Sequence, residues 1–233
     1  MECIVLAGGL GTRLQSAVAD VPKCMAPVNG QPFLHYVFDY LELQGCTRAI
    51  LSLGYKHEHV LQWLATQQRG FSVDYVIEHE PLGTGGGIQL ALTKANSNDV
   101  VILNGDTMFR VDLNELLQFH ADKNAATTLA LKPMTNFDRY GVVSIDDNGH
   151  INAFEEKKHY KEGLINGGIY VVNKDALSAK NLPVKHSFEK DYFEAFVHEG
   201  NMYGYVSDAY FIDIGIPSDY EQAQQDFKTL QQK

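Results

Sequence analysis

The feature that most constrains the fold of this chain is a regular alternation of apolar, strand-like runs with helical patterns up to about residue 131. Alternation of this kind is typical of a parallel sheet covered by helices on both faces, because each parallel crossover needs a helix-length connection. The predicted strands are Cys3–Ala7, Ala49–Leu53, Phe71–Ile77, Val100–Asn104 and Thr127–Leu131. The predicted helices are Pro32–Leu43, His57–Gln67, Gly85–Leu92 and Leu113–Lys123.

Beyond Lys132 the pattern changes to short strand-like runs crowded around turns, which predict a smaller, mixed β region packed against the first half. Its predicted strands are Val142–Ile145, Ile151–Phe154 and Gly168–Val172. A last helix is predicted to begin at Ser218, which would cap it, with Glu221 three residues later. The sequence therefore predicts a single α/β domain over residues 1–233. Its central sheet is expected to be Rossmann-like, mixed and mainly parallel, with a smaller β subregion.

The charge balance narrows the classes of partner. The 233 residues include 19 lysines and arginines against 29 aspartates and glutamates, which gives a formal net charge of −10 at neutral pH. A chain this acidic is poorly suited to bind nucleic acid or an anionic membrane surface. Any phosphate that it binds must therefore be held by a few placed cations or by Mg²⁺.

The cysteines and the hydropathy indicate a reducing, aqueous compartment. Cys3, Cys24 and Cys46 are odd in number and widely spaced, which argues against a disulfide framework. No run of the sequence approaches the ~18 apolar residues of a membrane span, and the N-terminus lacks the basic region of a signal peptide. We therefore expect the protein in the cytoplasm.

A glycine-rich loop, GGLGTRL at Gly8–Leu14, follows the first predicted strand. Glycines at this place let backbone N–H groups cradle a phosphate, although they also occur in plain tight turns. The dinucleotide-binding fingerprint needs a third glycine where Leu14 stands. The kinase-type P-loop needs a Gly-Lys-Ser/Thr sequence, which is absent from the loop. A phosphate site here would therefore be of another kind.

A second cation follows Arg13 at short distance, in the segment Pro22-Lys23-Cys24-Met25-Ala26-Pro27. The combination of GGxGTRL with PKxM resembles the signature of sugar-1-phosphate nucleotidylyltransferases, in which the pair binds a nucleoside triphosphate. That family usually has proline where Cys24 stands. The resemblance spans nearly the whole chain and implies a glycosyltransferase-A-like nucleotidyltransferase fold.

This resemblance also implies that residues 1–131 form a nucleotide-binding half and that residues 132–233 form a sugar-binding half. It implies that Arg13, Lys23 and Asp106 are the catalytic residues. The residues that it places on the nucleotide, besides the nucleobase contact treated below, are Leu6, Gly8, Gly9, Gly11, Thr12, Gly83, Thr84 and Gly105.

Two aspartates stand at the ends of apolar runs. Asp106 follows the predicted strand Val100–Asn104, and Asp213 lies inside Tyr210–Gly215. Each could be a turn or capping acid, but an acid in an apolar run needs a partner or a metal. Mg²⁺ prefers one or two carboxylates together with substrate phosphates. The resemblance implies that Asp106 and Asp213 hold a catalytic Mg²⁺.

The segment Glu78–Gly86 follows the third predicted strand, and in the resembled family it frames the nucleobase. Uridylyl and thymidylyl members commonly have glutamine where Glu78 stands. Guanine presents two adjacent N–H donors, which one carboxylate can accept, whereas uracil and thymine present one donor between acceptors. Glu78, or Glu80 on the same strand face, therefore favours GTP. The alternative is an ordinary strand-to-helix turn with Thr84 as the helix cap.

The second half carries the segments Phe154–Lys157 and Asn166–Tyr170, which match the family pattern for sugar binding. An acid and a lysine at a strand end are otherwise a solvated surface. By resemblance, Glu156 accepts a sugar hydroxyl and Lys157 holds the sugar phosphate. Gly141 and Asn166 are implied to line the sugar pocket.

Three stretches are similar to the branch of D-glycero-D-manno-heptose 1-phosphate guanylyltransferases, which serves surface polysaccharide synthesis. They are Asp138–Gly141, Gly163–Tyr170 and Tyr210–Pro217. The expected substrates are GTP and a sugar 1-phosphate, with Mg²⁺ as cofactor and a monomer or homodimer as the assembly. The alternatives are a mannose 1-phosphate guanylyltransferase, an amino-sugar 1-phosphate uridylyltransferase, and a non-catalytic sensor of nucleotide sugars.

Overall fold

The structure is a computed structural model, and it describes residues 1–9, 18 and 21–230. The strands are β1 (Glu2–Ala7), β2 (Pro27–Val28), β3 (Gln31–Pro32), β4 (Arg48–Leu53), β5 (Ser72–Ile77), β6 (Asp99–Asn104), β7 (Thr107–Phe109), β8 (Thr127–Phe137), β9 (Val143–Ile145), β10 (Ile151–Phe154), β11 (Tyr160–Asn173), β12 (Met202–Val206) and β13 (Phe211–Asp213). The α-helices are α1 (Phe33–Leu43), α2 (His57–Leu64), α3 (Gly83–Leu92), α4 (Leu113–Lys123), α5 (Lys174–Ser178) and α6 (Pro217–Leu230).

A seven-stranded sheet in the order β12-β8-β11-β6-β1-β4-β5 forms the centre of the fold. Strand β1 pairs in parallel with β4 and β6, and β5 continues the parallel set beside β4. Strand β11 is antiparallel to both of its neighbours, β6 and β8. The predicted mixed, mainly parallel α/β sheet is confirmed.

The middle of β1 and of β6 is apolar at every position because both faces of the sheet are covered there. Along β1, Cys3 and Val5 contribute to one hydrophobic cluster, whereas Ile4 contributes to the other. The pleat points successive side chains to opposite faces, so one strand supplies both layers of the core. Burial on this scale is the main stabilising contribution to a fold of this kind.

The predicted apolar stripe of α1 is confirmed, since all four of its residues are buried in the first of these clusters. Those residues are Leu34, Val37, Phe38 and Leu41. Phe38 contacts Phe71 edge-to-face, with ring centroids 5.4 Å apart, which ties the helix to the start of β5.

In the second half, β8, β11 and β12 extend the main sheet, while β9 and β10 form a separate antiparallel pair. The last helix begins at Pro217 and not at Ser218. Proline is favoured at a first helical position because its fixed φ suits the helix and its missing N–H would be unpaired there. Ser218 therefore lies inside the first turn, where its hydroxyl donates to Asp219 Oδ1 at 3.3 Å, and the predicted cap is wrong. Within the described ranges, no helix combines the length and apolarity that a membrane crossing requires.

Candidate active site

The candidate site lies where the parallel strands end. Strand β1 runs into Gly8, β4 into Gly54, β5 into Glu78 and β6 into Gly105. Parallel strands bring their carboxyl ends to one edge of the sheet, which is where open α/β folds bind ligands. The sequence-predicted residues of the first half that the structure describes gather at this edge.

Close approach of the backbone explains the first glycine of the loop. A Cβ on Gly8 would lie 3.0 Å from Oε1 of Glu78 and 3.2 Å from the backbone nitrogen of Gly54. The described part of the loop ends at Gly9. The remaining residues predicted in the loop, Gly11, Thr12 and Arg13, lie outside the described residues.

A lysine and two carboxylates form the charged centre of the site. The ammonium group of Lys23 pairs with Oδ2 of Asp106, and its nitrogen lies 3.6 Å from Oδ1 of Asp213. Three residues that are far apart in the chain are thus brought together by the fold.

Local structure fixes each member of this cluster. Lys23 begins a short 3₁₀ turn, Lys23–Met25, directly after Pro22. Asp213 ends β13, which pairs antiparallel with β7, the strand that follows Asp106. The N–H of Ile214 donates to the carbonyl of Asp106 at 3.1 Å, which holds the two aspartates side by side.

The charge of Asp106 is one of the influences on the protonation of Asp213. Burial, and then the charge of Asp106, raise the pKa of Asp213, and Lys23 opposes this shift. Burial, and then Asp106, also raise the pKa of the neighbouring Cys24 thiol to about 12. Cys24 is therefore a packing residue and not a nucleophile, because the reactive form is the thiolate.

This cluster fits a divalent cation that also binds substrate phosphates. A cation would relieve the repulsion that raises the pKa of Asp213. Gly215 leaves the space open, since a Cβ there would lie 2.8 Å from Oδ1 of Asp213 and 2.9 Å from the Lys23 nitrogen. Among the described residues, no group of three or more acidic, histidine or cysteine ligands occurs. Two carboxylates completed by phosphate oxygens match the preference of Mg²⁺.

A cavity of about 570 Å³ opens beside the first glycines, and it has the size of a small-molecule site. Its walls come from the ends of β1, β4 and β5 and from the start of α3. The predicted nucleotide residues among its lining are Leu6, Gly8, Gly9, Glu78, Gly83 and Thr84. Gly105, which was also predicted to contact the nucleotide, lies just behind this wall. Its N–H donates to the carbonyl of Leu6 at 2.9 Å.

Glu78 is held in this cavity by two donors from the protein. The hydroxyl of Ser52 donates to Oε1 at 3.2 Å, and the N–H of Leu82 donates to Oε2 at 3.1 Å. Gly87 makes room for this carboxylate, because a Cβ there would lie 2.8 Å from Oε1. Strand β5 ends at Ile77, so Glu78 and Glu80 do not share a strand face as predicted. Both still line the cavity, with Glu80 the more exposed.

A second cavity, of about 440 Å³, lies on the side of the second half. Its lining includes the predicted sugar-site residues Gly141, Glu156, Lys157 and Asn166, together with Asp213. A Cβ on Gly141 would lie 2.3 Å from the carbonyl oxygen of Glu155, so only glycine lets the chain pass there. Glu156 and Lys157 are exposed, which leaves their charges available to a ligand.

The amide of Asn166 is engaged by its own strand. Its Nδ2 donates to the hydroxyl of Tyr170 at 2.9 Å, and its Oδ1 accepts the N–H of Gly168 at 2.9 Å. Gly168 has a φ of +75°, and a Cβ there would lie 2.7 Å from Nδ2 of Asn104. The motif around Asn166 therefore shapes the wall of the cavity through a local break in strand pairing.

The family described as nucleotidyl transferase matches residues 2–229 of the chain. The chain belongs to this nucleotidyl transferase family. The resemblance inferred from the glycine loop and the lysine segment is thereby confirmed.

Two relatives of this nucleotidyl transferase carry the description D-glycero-alpha-D-manno-heptose 1-phosphate guanylyltransferase. The protein from Aneurinibacillus thermoaerophilus is 50% identical over 228 residues, which cover 98% of this chain and 99% of that protein. The protein from Campylobacter jejuni is 44% identical over 220 residues, covering 94% and 97% of the two chains. The likeness to this branch that was predicted from three stretches is confirmed.

Solved structures share the fold of this nucleotidyl transferase. HddC from Yersinia pseudotuberculosis, complexed with GMP-PN, superimposes with a TM-score of 0.87 at 38% identity, covering 97% of this chain and 99% of that one. A putative glucose-1-phosphate thymidylyltransferase from Bacillus anthracis gives a TM-score of 0.81 over 97% of this chain and 94% of that one. Its identity of 21% shows likeness of fold alone.

The structure of this nucleotidyl transferase also brings residues to the site that sequence patterns missed. The hydroxyl of Tyr140 donates to Oδ2 of Asp213 at 3.4 Å, and Arg139 donates to that same hydroxyl at 2.8 Å. Ser187 and Glu189 line the second cavity from a short π-helical segment, Phe188–Glu194, and the residue before it. For Tyr140, the sequence offered one indication of a place in the site, namely its position next to Gly141. Nothing local distinguished Ser187 and Glu189.

Proposed function

We propose that this nucleotidyl transferase transfers GMP from GTP to D-glycero-α-D-manno-heptose 1-phosphate, forming GDP-heptose and pyrophosphate. The observation that carries the proposal is the cluster of Lys23, Asp106 and Asp213 beside two cavities of suitable size. One cavity is lined by glycines and a carboxylate, and the other by an exposed acid–lysine pair. The names of the two relatives described above support this choice of substrates.

The reaction needs no side chain to activate the nucleophile, because a sugar phosphate is already an anion. One of its oxygens attacks the α-phosphorus of GTP, the new P–O bond forms, and the bond to the β-phosphate breaks to release pyrophosphate. Catalysis then consists of positioning and charge stabilisation. Lys23 would turn from the carboxylates to the α-phosphate, and Arg13 would steady the departing pyrophosphate. Mg²⁺ held by Asp106 and Asp213 would supply positive charge to the phosphate oxygens.

Base choice is proposed to depend on Glu78. Its carboxylate is oriented by Ser52 and by the backbone of Leu82, and each oxygen retains capacity to accept another hydrogen bond. Two adjacent donors of guanine suit such an acceptor, whereas uracil would place a carbonyl oxygen against it. The guanylyltransferase names of the relatives agree with this reading.

On the sugar side, we assign hydroxyl recognition to Glu156 and phosphate binding to Lys157, with Gly141 and Asn166 forming the wall. These residues line one cavity together with Asp213, so a bound sugar phosphate would lie near the charged cluster. Residues 1–131 would thus serve the nucleotide and residues 132–233 the sugar. The three free cysteines agree with a cytoplasmic setting, and we propose a monomer or homodimer that supplies surface polysaccharide synthesis.

The substrate is tested by pyrophosphate release from GTP and Mg²⁺ with a panel of sugar 1-phosphates. We expect D-glycero-α-D-manno-heptose 1-phosphate to exceed mannose 1-phosphate by at least ~10-fold in kcat/KM, which corresponds to about 1.4 kcal/mol. Equal use of mannose 1-phosphate would favour the mannose enzyme, a relative of which is 33% identical and is matched over 62% of its length. If none of the sugar 1-phosphates supports pyrophosphate release with either GTP or UTP, a non-catalytic sensor is indicated.

A further inference from the structure

The segment 183–189 crosses the first turn of α3 at very short distance. The N–H of His186 donates to the carbonyl of Leu82 at 2.9 Å, and the N–H of Gly85 donates to the carbonyl of His186 at 3.1 Å. A Cβ on Gly85 would lie 2.1 Å from Nε2 of His186, and one on Gly86 would lie 2.3 Å from a backbone carbonyl of the segment. Glycines at these two positions of α3 are therefore needed for the crossing.

A side-chain link reinforces the crossing. The hydroxyl of Thr84 donates to Oε2 of Glu189 at 2.8 Å and accepts the N–H of Phe188 at 2.9 Å. The hydroxyl of Ser187 donates to the same carboxylate oxygen at 2.8 Å. Thr84 is consequently not the cap of α3, which has Leu82 at its N-cap and no side-chain cap.

This link joins the two cavities. Thr84 lines the cavity that contains Glu78, whereas Ser187 and Glu189 line the cavity that contains Lys157. Glu189 also lies near the buried Tyr170, since burial, and then the charge of Glu189, raise the pKa of that tyrosine. Hydrogen bonds thus connect Thr84 to the wall of the second cavity.

We propose that Glu189 is a positioning residue that couples the two substrates: GTP fixes the first turn of α3, and Thr84 then fixes Glu189 and the segment Phe188–Glu194. The inference rests on the proposed function. When the wall of the second cavity is already ordered, binding of the sugar phosphate costs less conformational freedom than when the wall is mobile. GTP and the sugar phosphate thus increase each other's affinity by the same factor, as linkage requires.

The test measures binding of D-glycero-α-D-manno-heptose 1-phosphate by calorimetry, with Mg²⁺, in the presence and absence of α,β-methylene GTP. The methylene bridge replaces the oxygen whose bond would break, so binding is observed without transfer. In the wild type we expect at least ~5-fold tighter sugar-phosphate binding when the analogue is bound. Thr84→Val and Glu189→Ala should each reduce this affinity ratio below ~2-fold. The double variant should show no further reduction in the ratio.

Conservative variants serve as matched controls. Thr84→Ser keeps the hydroxyl and Glu189→Gln keeps an acceptor oxygen, so both should retain the coupling. Tyr205→Phe removes a hydroxyl–carboxylate bond of 2.7 Å to Glu115, at the opposite edge of the sheet, and should not alter the coupling. If Glu189→Ala does not fold, Thr84→Val decides the matter.

The outcomes separate this inference from the proposed function. If the wild type binds both ligands with no mutual effect, or if Thr84→Val retains the full coupling, the inference is wrong and the proposed function stands. If the wild type binds neither ligand, the proposed function is wrong, and the inference with it.

Discussion

The ammonium nitrogen of Lys23 lies 3.6 Å from Oδ1 of Asp213 while it also pairs with Asp106, so one cation is shared by carboxylates at the ends of two different strands. Burial, and then the charge of Asp106, raise the pKa of Asp213, and Lys23 counteracts this shift. One ammonium group against two carboxylates gives these three side chains a formal charge of −1. Mg²⁺ and the phosphates of a nucleotide would complete it together.

Replacing Asp106 or Asp213 by asparagine is expected to lower the rate about a thousandfold or more while the fold is retained. The reason is the loss of one charged metal ligand, which costs several kcal/mol of transition-state stabilisation. Steady-state rates at saturating Mg²⁺ and circular dichroism check both statements. Asp122→Asn, which changes an exposed carboxylate on α4, is the control and should keep the wild-type rate. Rates within tenfold of the wild type for both site variants would remove these aspartates from the catalytic centre.

Lys157→Ala is expected to raise the KM for the sugar phosphate about tenfold and to leave the KM for GTP unchanged. The loss of one charge-assisted contact to a phosphate accounts for a change of this size. Lys158→Ala is a close control, because the neighbouring lysine is exposed and pairs only loosely with Glu155, at 3.8 Å. Arg13→Ala, which rests on the sequence pattern alone, should impair the triphosphate side instead. An effect of Lys157→Ala confined to GTP would show that the assignment is wrong.

Glu78→Gln is expected to narrow the preference for GTP over UTP, since an amide can both donate and accept and therefore tolerates uracil. The ratio of kcat/KM values for the two nucleotides is the quantity to measure. Glu80→Gln is the control, because Glu80 is exposed at the rim of the same cavity. An unchanged ratio in Glu78→Gln, or an equal change in Glu80→Gln, would contradict the role given to Glu78.

Stability is expected to fall at mildly acidic pH because of His120. Its Nδ1 lies 2.8 Å from the hydroxyl of Thr128, and burial lowers its pKa although the nearby charge of Asp99 opposes the shift. The unfolded chain binds a proton at this histidine near the ordinary pKa of about 6.5, whereas the folded chain binds it only at lower pH, so stability is lost as the pH falls below about 6.5.

Urea unfolding at pH 7.5 and 5.5 measures this loss. His120→Gln cannot titrate, so its free energy of unfolding should fall less between these two pH values than that of the wild type. His59→Gln changes an exposed histidine of α2 and should behave as the wild type does. If the wild type and His120→Gln lose equal free energy of unfolding, another group causes the loss of stability at acidic pH.

Most helices and strands could be predicted correctly, because the spacing of apolar residues over a short stretch shows which side chains are buried. The stripe of α1 and the run at Val100–Asn104 are examples, and the latter differs from β6 by one residue at its start. The length and pairing of β11 could not be predicted in this way. Its insertion between β6 and β8 depends on contacts between residues distant in the chain.

The same distinction applies to the site. Lys23, Asp106 and Asp213 could be named as candidate site residues because each stands in a recognisable local context. Glu189 could not, because its importance comes from a hydrogen bond to Thr84 across 105 positions of the chain. Helix caps show that a local rule can also mislead. Ser218 fits the capping rule, yet it lies within a helix that begins at a proline. Thr84 fits the rule as well, yet its hydroxyl donates to a distant carboxylate.

Competition between GTP and UTP for one sugar phosphate tests the central claim most directly. Equal concentrations of the two nucleotides are incubated with the enzyme, Mg²⁺ and D-glycero-α-D-manno-heptose 1-phosphate, and both nucleotide-sugar products are counted by mass spectrometry. We predict that GDP-heptose exceeds UDP-heptose by at least ~10-fold, a discrimination of about 1.4 kcal/mol. A product mixture dominated by UDP-heptose, or the absence of either product, would contradict guanylyl transfer as the activity of this chain.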